Sequence, residues 1–284
     1  MSGSRQAQTG LDPIHLALPM RRTPITLFST PREKPVLYPG TRPTWSYCFV
    51  GEDILPLGVR DGRLQLMPED DDWRDLASFL KEVTSIPLRE RYAVLAVGSN
   101  ACPARLADED KYGLFERVAI PVIRGAIANV LSVYVARRAS YGSVPATITG
   151  ALGAQTELWV TLLTATELKQ MDETEGRGQR YSLIELSGSR FHIGEGLSLG
   201  PVSAYFEPRG LADKDCDGPI RLDCFESTGS RFPAMSQAEV QRYVEHAATK
   251  QGSGELPTVQ LRVPDQAKNL GNSMLPAVTV GIVP

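Results

Sequence analysis

Glycine and proline punctuate this chain densely: 25 glycines and 21 prolines are spread along 284 residues, and both residues tend to end periodic segments. Such a chain favours many short strands and turns over a helical bundle, so its fold class is α+β or mostly β. Its apolar fraction of 42% and its length suffice to bury about three quarters of the unfolded surface. The chain is therefore globular, as one large domain or two smaller ones.

The formal net charge of -3 balances 30 basic against 33 acidic residues, so no global field exists to attract nucleic acid or anionic lipid. The stretch Ile14 to Met20, which precedes Arg21 and Arg22, is too broken for a signal-peptide core, and no run approaches the roughly 18 apolar residues of a membrane helix. A cytoplasmic location is expected by default, with neither nucleic-acid nor membrane partners. The cysteines Cys48, Cys102, Cys216 and Cys224 and the histidines His15, His192 and His246 lack zinc-site spacing. The expected state of the cysteines is reduced and buried, and no metal is expected.

Prolines at 13, 19, 24, 31, 35 and 39 make the first 39 residues an extended, partly mobile arm with no chemistry assigned to it. Short strands follow at Ser46 to Val50 and Ile54 to Leu57, then a hairpin whose turn is Asp61-Gly62. Pro68 and the acidic run Glu69 to Asp72 predict a helix start, with Trp73, Leu76, Leu80 and Val83 on one face. Further strands are expected at Tyr92 to Val97, Val130 to Ala136, Ala146 to Thr149, Leu158 to Leu163, Tyr181 to Leu186 and Val202 to Phe206. Two helices carry capping boxes, Thr164 with Glu167 and Ser236 with Glu239. The tail, with Val259, Leu261 and Val263 and then Val278, Val280 and Ile282, is expected to return as strands.

Two places could carry chemistry. In the helix after Thr164, Leu168 and Met171 face the core, Asp172 and Glu175 share another face, and Gly176 is placed to end the helix. Glu175 then stands at the negative end of the helix dipole, an odd place for a merely solvating acid and a suitable one for a carboxylate that exchanges protons. The second place is the turn Gly98-Ser99-Asn100, where positive φ angles are expected and whose backbone amides could form an anion-binding nest. Cys102 beside it lacks a histidine in a context that suggests a paired base. Asp213-x-Asp215-x-Asp217-Gly218 begins like a calcium loop, but position 12, where a bidentate acid is required, is Cys224.

In order along the chain, Ala96-Val97-Gly98-Ser99-Asn100-Ala101, Tyr141 to Ile148, Glu157-Leu158-Trp159-Val160, Met171-Asp172-Glu173-Thr174-Glu175-Gly176, Tyr181 and Tyr205 resemble the gamma-glutamylcyclotransferase family. The resemblance implies a small mixed β-barrel with flanking helices at 91–207. An N-terminal arm with a small β and helix unit (1–90) and a C-terminal extension (208–284) would flank it as β-rich additions. It implies an acyltransferase or lyase that needs no metal or cofactor and acts on a small γ-glutamyl compound, giving 5-oxoproline and a free amine. By position, Glu175 would be the general acid/base, and Gly98, Ser99, Asn100, Tyr181 and Tyr205 would bind substrate. Val97 and Ala101 depart from the family's tyrosine and leucine, which motivates the alternative of a non-catalytic ligand-binding or scaffold protein with this fold.

Overall fold

The computed structural model describes residues 14–67, 73–113, 115–216, 218–251, 255–271 and 279–282. Strands dominate. The helices among the described residues are α1 (Leu76–Thr84), α2 (Pro103–Leu106), α3 (Ala165–Glu175) and α4 (Gln237–Gln251), so the architecture is α+β.

Two long antiparallel strands, Ile120–Tyr134 and Ala146–Leu163, organise the sheet, in register from Ala146 opposite Tyr134 to Thr161 opposite Val122. The expected strands at Ala146 to Thr149 and Leu158 to Leu163 are thus one. Between them the register shifts from Gly150 to Gln155. Gly153 has a φ of +81° and donates its N–H to Asn129 Oδ1 at 2.8 Å, and Asn129 itself has a φ of +60°. The bulge bends the strand without ending it.

Tyr92–Leu95 pairs antiparallel with Val160 to Leu163 on one side and parallel with Val202–Phe206 on the other, and Val202–Phe206 pairs in turn with Ser182–Leu186. The flanking segments join the same ladders. Tyr47–Val50 lies against Ile120 to Val122, Ala267–Asn269 against Ser182–Leu186, and Thr279–Ile282 against Leu197–Gly200. Among the described residues these pairings branch and none returns to its start, so they do not close the small barrel that the resemblance implies. The hairpin Phe191–Gly194 with Leu197–Gly200 had no clear signal, because its alternation is short and its turn residues Glu195-Gly196 follow another glycine.

The Asp61-Gly62 turn has both residues at positive φ, +53° and +68°, as a two-residue hairpin of this hand requires. Helix α1 starts later than its acidic run predicts. Asp75 is the cap, accepting from Ser78 N–H at 2.8 Å, while Trp73 precedes the helix and packs under the Arg60 guanidinium. The run Pro68 to Asp72 lies outside the described residues, as do Asp217 and Val278.

Both capping boxes form. Thr164 N–H donates to Glu167 Oε2 at 2.7 Å and Glu167 N–H to Thr164 Oγ1 at 3.2 Å; Ser236 and Glu239 bond reciprocally at the start of α4. Leu168 and Met171 are buried. Gly176 ends α3 in the left-handed region at a φ of +68°.

The four cysteines are free thiols. Cys48, Cys102 and Cys224 are buried, whereas Cys216 is exposed, contrary to the expectation for it, because it sits in the irregular loop at 213–216. Among the described residues no three His, Cys, Asp or Glu side chains are grouped to hold a metal ion, and no helix is long and apolar enough to cross a membrane.

Candidate functional site

Ala146–Leu163 runs beside Tyr92–Leu95 and leads through Thr164 directly into α3. Eleven residues at 1.5 Å each carry the helix about 16 Å back along that strand. Its last residue, Glu175, therefore arrives where the strand ends in the turn of Gly98 to Asn100. Glu175 Oε1 accepts from Asn100 Nδ2 at 3.2 Å and from Lys111 Nζ at 3.5 Å, and Lys111 Nζ donates to Asn100 Oδ1 at 2.6 Å. Three side chains from three segments thus close a triangle, with both contacts to Glu175 made at one carboxylate oxygen.

The turn itself differs from expectation. Gly98 has a φ of -123°, and Ser99–Ala101 form a single 3-10 turn. The glycine is required by space, since a Cβ there would lie 2.6 Å from the Tyr38 hydroxyl. Among the described residues no acceptor bonds the backbone N–H of Gly98, Ser99 or Asn100. The Asn100 side chain bridges Lys111 and Glu175, while Ser99 lines the adjoining cavity.

Sequence reasoning missed Lys111. It lies in Asp-Glu-Asp-Lys-Tyr, which resembles a solvated charge run, and a buried lysine has no periodicity to announce it. The loop carrying it is fastened by Arg105, which donates to Asp108 at 2.8 Å and Asp110 at 2.5 Å. Burial lowers the Lys111 pKa to about 8, with the Glu175 carboxylate opposing the shift.

Between pH 8 and the ordinary 10.5 the unfolded chain binds the extra proton. Lys111 therefore makes unfolding free energy rise with pH across that window, and its penalty is largest below it. The Lys111→Met variant should lack this rise: urea midpoints of parent and variant, measured from pH 7.5 to 9.5, should diverge in the parent's favour. Parallel midpoints would place the titration elsewhere.

A cavity of about 850 Å³ opens beside the triangle, with Glu175, Ser99, Tyr38, Tyr141 and Tyr181 on its walls. Tyr181 donates its hydroxyl proton to Ala146 O at 3.1 Å and accepts from Arg137 Nη2 at 3.0 Å. Tyr205 is not on the lining. It packs edge-on to Tyr181 at 6.4 Å and donates to Asp172 Oδ1 at 2.7 Å, with Arg177 holding the other oxygen of Asp172. Burial, and for Tyr205 its bond to Asp172, raises both phenols above their ordinary range, so both stay protonated.

Tyr38 belongs to the arm to which the sequence assigned no chemistry. Its hydroxyl accepts from Ala146 N–H at 2.8 Å, and this fixes an aromatic hydroxyl against Gly98 although Val97 supplies none. An isolated tyrosine among prolines carries no sequence signal of that placement. Cys102 lies behind the turn, 3.5 Å from Ser29 O, and burial pushes its thiol up to about 12. It is no thiolate near neutral pH, which argues against a nucleophilic role.

Among solved structures, a gamma-glutamyl cyclotransferase is similar to part of this chain: 17% identity and a TM-score of 0.34 over 42% of this chain and 67% of that one. No protein-family model and no curated protein matches the sequence.

Proposed function

We propose that the protein is an intramolecular cyclotransferase. In this reaction the α-amino nitrogen of a bound γ-glutamyl amide attacks its own γ-carbonyl carbon, forming the ring C–N bond of 5-oxoproline and breaking the amide C–N bond. Glu175 takes the proton from the attacking nitrogen and returns one to the departing nitrogen, so that a neutral amine leaves. The backbone N–H groups of Gly98 to Asn100 are offered to the substrate's carboxylate or to the oxyanion that forms on the γ-carbonyl. Folding the substrate for a five-membered ring closure exploits proximity, and the chemistry needs no group beyond the chain's own.

The observation that carries this reading is the fixing of Glu175 by Asn100 and Lys111 at the wall of the 850 Å³ cavity. Both contacts engage Oε1, so the second oxygen remains for proton exchange. Incubation with γ-glutamyl amino acids, γ-glutamylamines and glutathione should release 5-oxoproline and amine in equal amounts, read by mass spectrometry. If none of these compounds yields 5-oxoproline, the protein is a binding protein and the cyclotransferase reading is wrong.

A further inference from the structure

We propose that the protein has a second binding site, apart from the cavity beside Glu175, for a small amphipathic carboxylate: a medium-length apolar tail carrying one negative charge. This inference does not depend on the cyclotransferase reading.

The site is a cavity of about 450 Å³ where three segments meet: residues 149–152 at the bulge of the strand Ala146–Leu163, the loop carrying Arg231 and Phe232, and the C-terminal segment Val259 to Arg262. Its size is that of a small-molecule site, and it shares no lining residue with the 850 Å³ cavity. Backbone contacts fix its walls. Arg262 N–H donates to Thr149 Oγ1 at 3.3 Å and Gly150 N–H to Arg262 O at 2.9 Å, which ties the C-terminal segment to the strand. Gly229, at a φ of +70°, leans on the bulge so closely that a Cβ there would lie 2.3 Å from Gly153 O.

Two features of the lining identify the ligand, and the first is charge. Arg231 and Arg262 both stand on the cavity, no carboxylate lines it among the described residues, and neither guanidinium makes an ion pair or hydrogen bond there. The whole chain carries a net charge of -3, so two uncompensated cations at one hollow are a local excess, not part of a basic surface. Each offers planar N–H donors that suit an oxyanion.

The second feature is the apolar surface beside that charge. Leu152 is 86% exposed, the largest figure among the exposed large apolar side chains. A lone exposed leucine means little, but this one lines the hollow together with half-buried Phe232 and Val259 and buried Leu261. An inorganic anion would leave that lining uncovered, and a neutral apolar molecule would leave both guanidiniums without a counter-charge. The lining therefore selects a molecule that has both parts.

Isothermal titration of the full chain with octanoate (tail and charge), 1-octanol (tail alone) and acetate (charge alone) tests the site. Octanoate should bind about tenfold or more tightly than either, the scale of one charge-assisted contact or of a few buried methylenes. Replacing both arginines, Arg231→Gln with Arg262→Gln, should bring octanoate to the affinity of octanol and leave octanol unchanged. Leu152→Ser should weaken octanoate and octanol alike, by about threefold or more. All three side chains are exposed, so these variants should melt with the parent.

Should a variant fail to fold, the parent decides: its preference for octanoate over octanol must weaken from about 50 mM to about 500 mM salt, as a charge contact does. No octanoate binding below about 10 mM, equal affinities for octanoate and octanol or for octanoate and acetate, a preference that survives both arginine substitutions, a salt-independent preference, or binding indifferent to Leu152→Ser overturns the site. None of these measurements reads 5-oxoproline, so failure of the cyclotransferase reading would leave the site standing.

Discussion

Glu175→Gln is expected to fold and to release 5-oxoproline about 10² to 10⁴-fold more slowly than the parent, the usual worth of positioned general acid–base assistance. Gln keeps an acceptor for Asn100 Nδ2 but takes no proton from the attacking amine. It also leaves the buried Lys111 ammonium with the Asn100 carbonyl as its near partner, so the variant should unfold at lower urea than the parent. Glu175→Gln combined with Lys111→Met should regain stability and not turnover. That split separates the chemical role from the structural one. Cys102→Ser, which alters a buried thiol behind the turn, should keep full turnover. If Cys102→Ser is inactive while Glu175→Gln is not, the reaction proceeds through a nucleophile and the proton-transfer assignment fails.

Arg91→Met should cost about 3–5 kcal/mol of stability, the usual penalty for breaking a buried ion pair by removing one partner. Arg91 is 0% exposed and Glu167 2%. Arg91 Nη1 donates to Ala119 O at 2.8 Å and Leu162 O at 3.0 Å and lies 3.5 Å from Glu167 Oε2. The variant strands the Glu167 carboxylate in the core, where burial already raises its pKa. For a chain near this size the corresponding fall in Tm is roughly 6 to 20 °C. Since Glu167 also caps α3 through Thr164, the helix that carries Glu175 should fray from its first turn, and turnover should fall with stability. An Arg91→Met protein that melts within about 1 °C of the parent would show that the pair contributes nothing, as many exposed pairs do.

The parts of the fold legible in the sequence were those written in local chemistry. Thr164 with Glu167, Gly176, Ser236 with Glu239, and Asp61-Gly62 each specify a cap or turn through contacts a few residues apart, and the structure forms them all. The strand ends were less legible: Ala146 to Thr149 and Leu158 to Leu163 were expected as separate strands, whereas a bulge after Gly150, set by pairing with a strand remote in sequence, lets one strand run through both. The meeting of Glu175 with the Gly98 turn was legible through helix length and a strand-ending turn, but Asn100 was expected to act through its backbone amide and instead meets Glu175 with its side chain. Lys111, Tyr38 and Arg137 were not, since each acts through a partner remote in sequence. Tyr205 was placed at the substrate by likeness alone, and its hydroxyl is committed to Asp172.

The arm has a consequence for how the molecule can fail. Its ties to the rest span long stretches of chain: Tyr38 to Ala146 and Pro35 to Ser143, each across 108 residues, and Ser29 to Cys102 across 73. Loop-closure entropy grows only logarithmically with such spans, and the ion pairs Arg22–Asp53 and Arg32–Asp110 and the buried Phe28 and Tyr38 side chains add to these bonds in holding the strap down. A local opening that releases the strap can still leave the long ladders paired. Such an opening withdraws the Tyr38 wedge from Gly98 and removes one wall of the cavity. The pocket can then be lost by undocking of the strap before the sheet melts, so a molecule with its spectroscopic signature of folding intact can already lack one wall of its cavity.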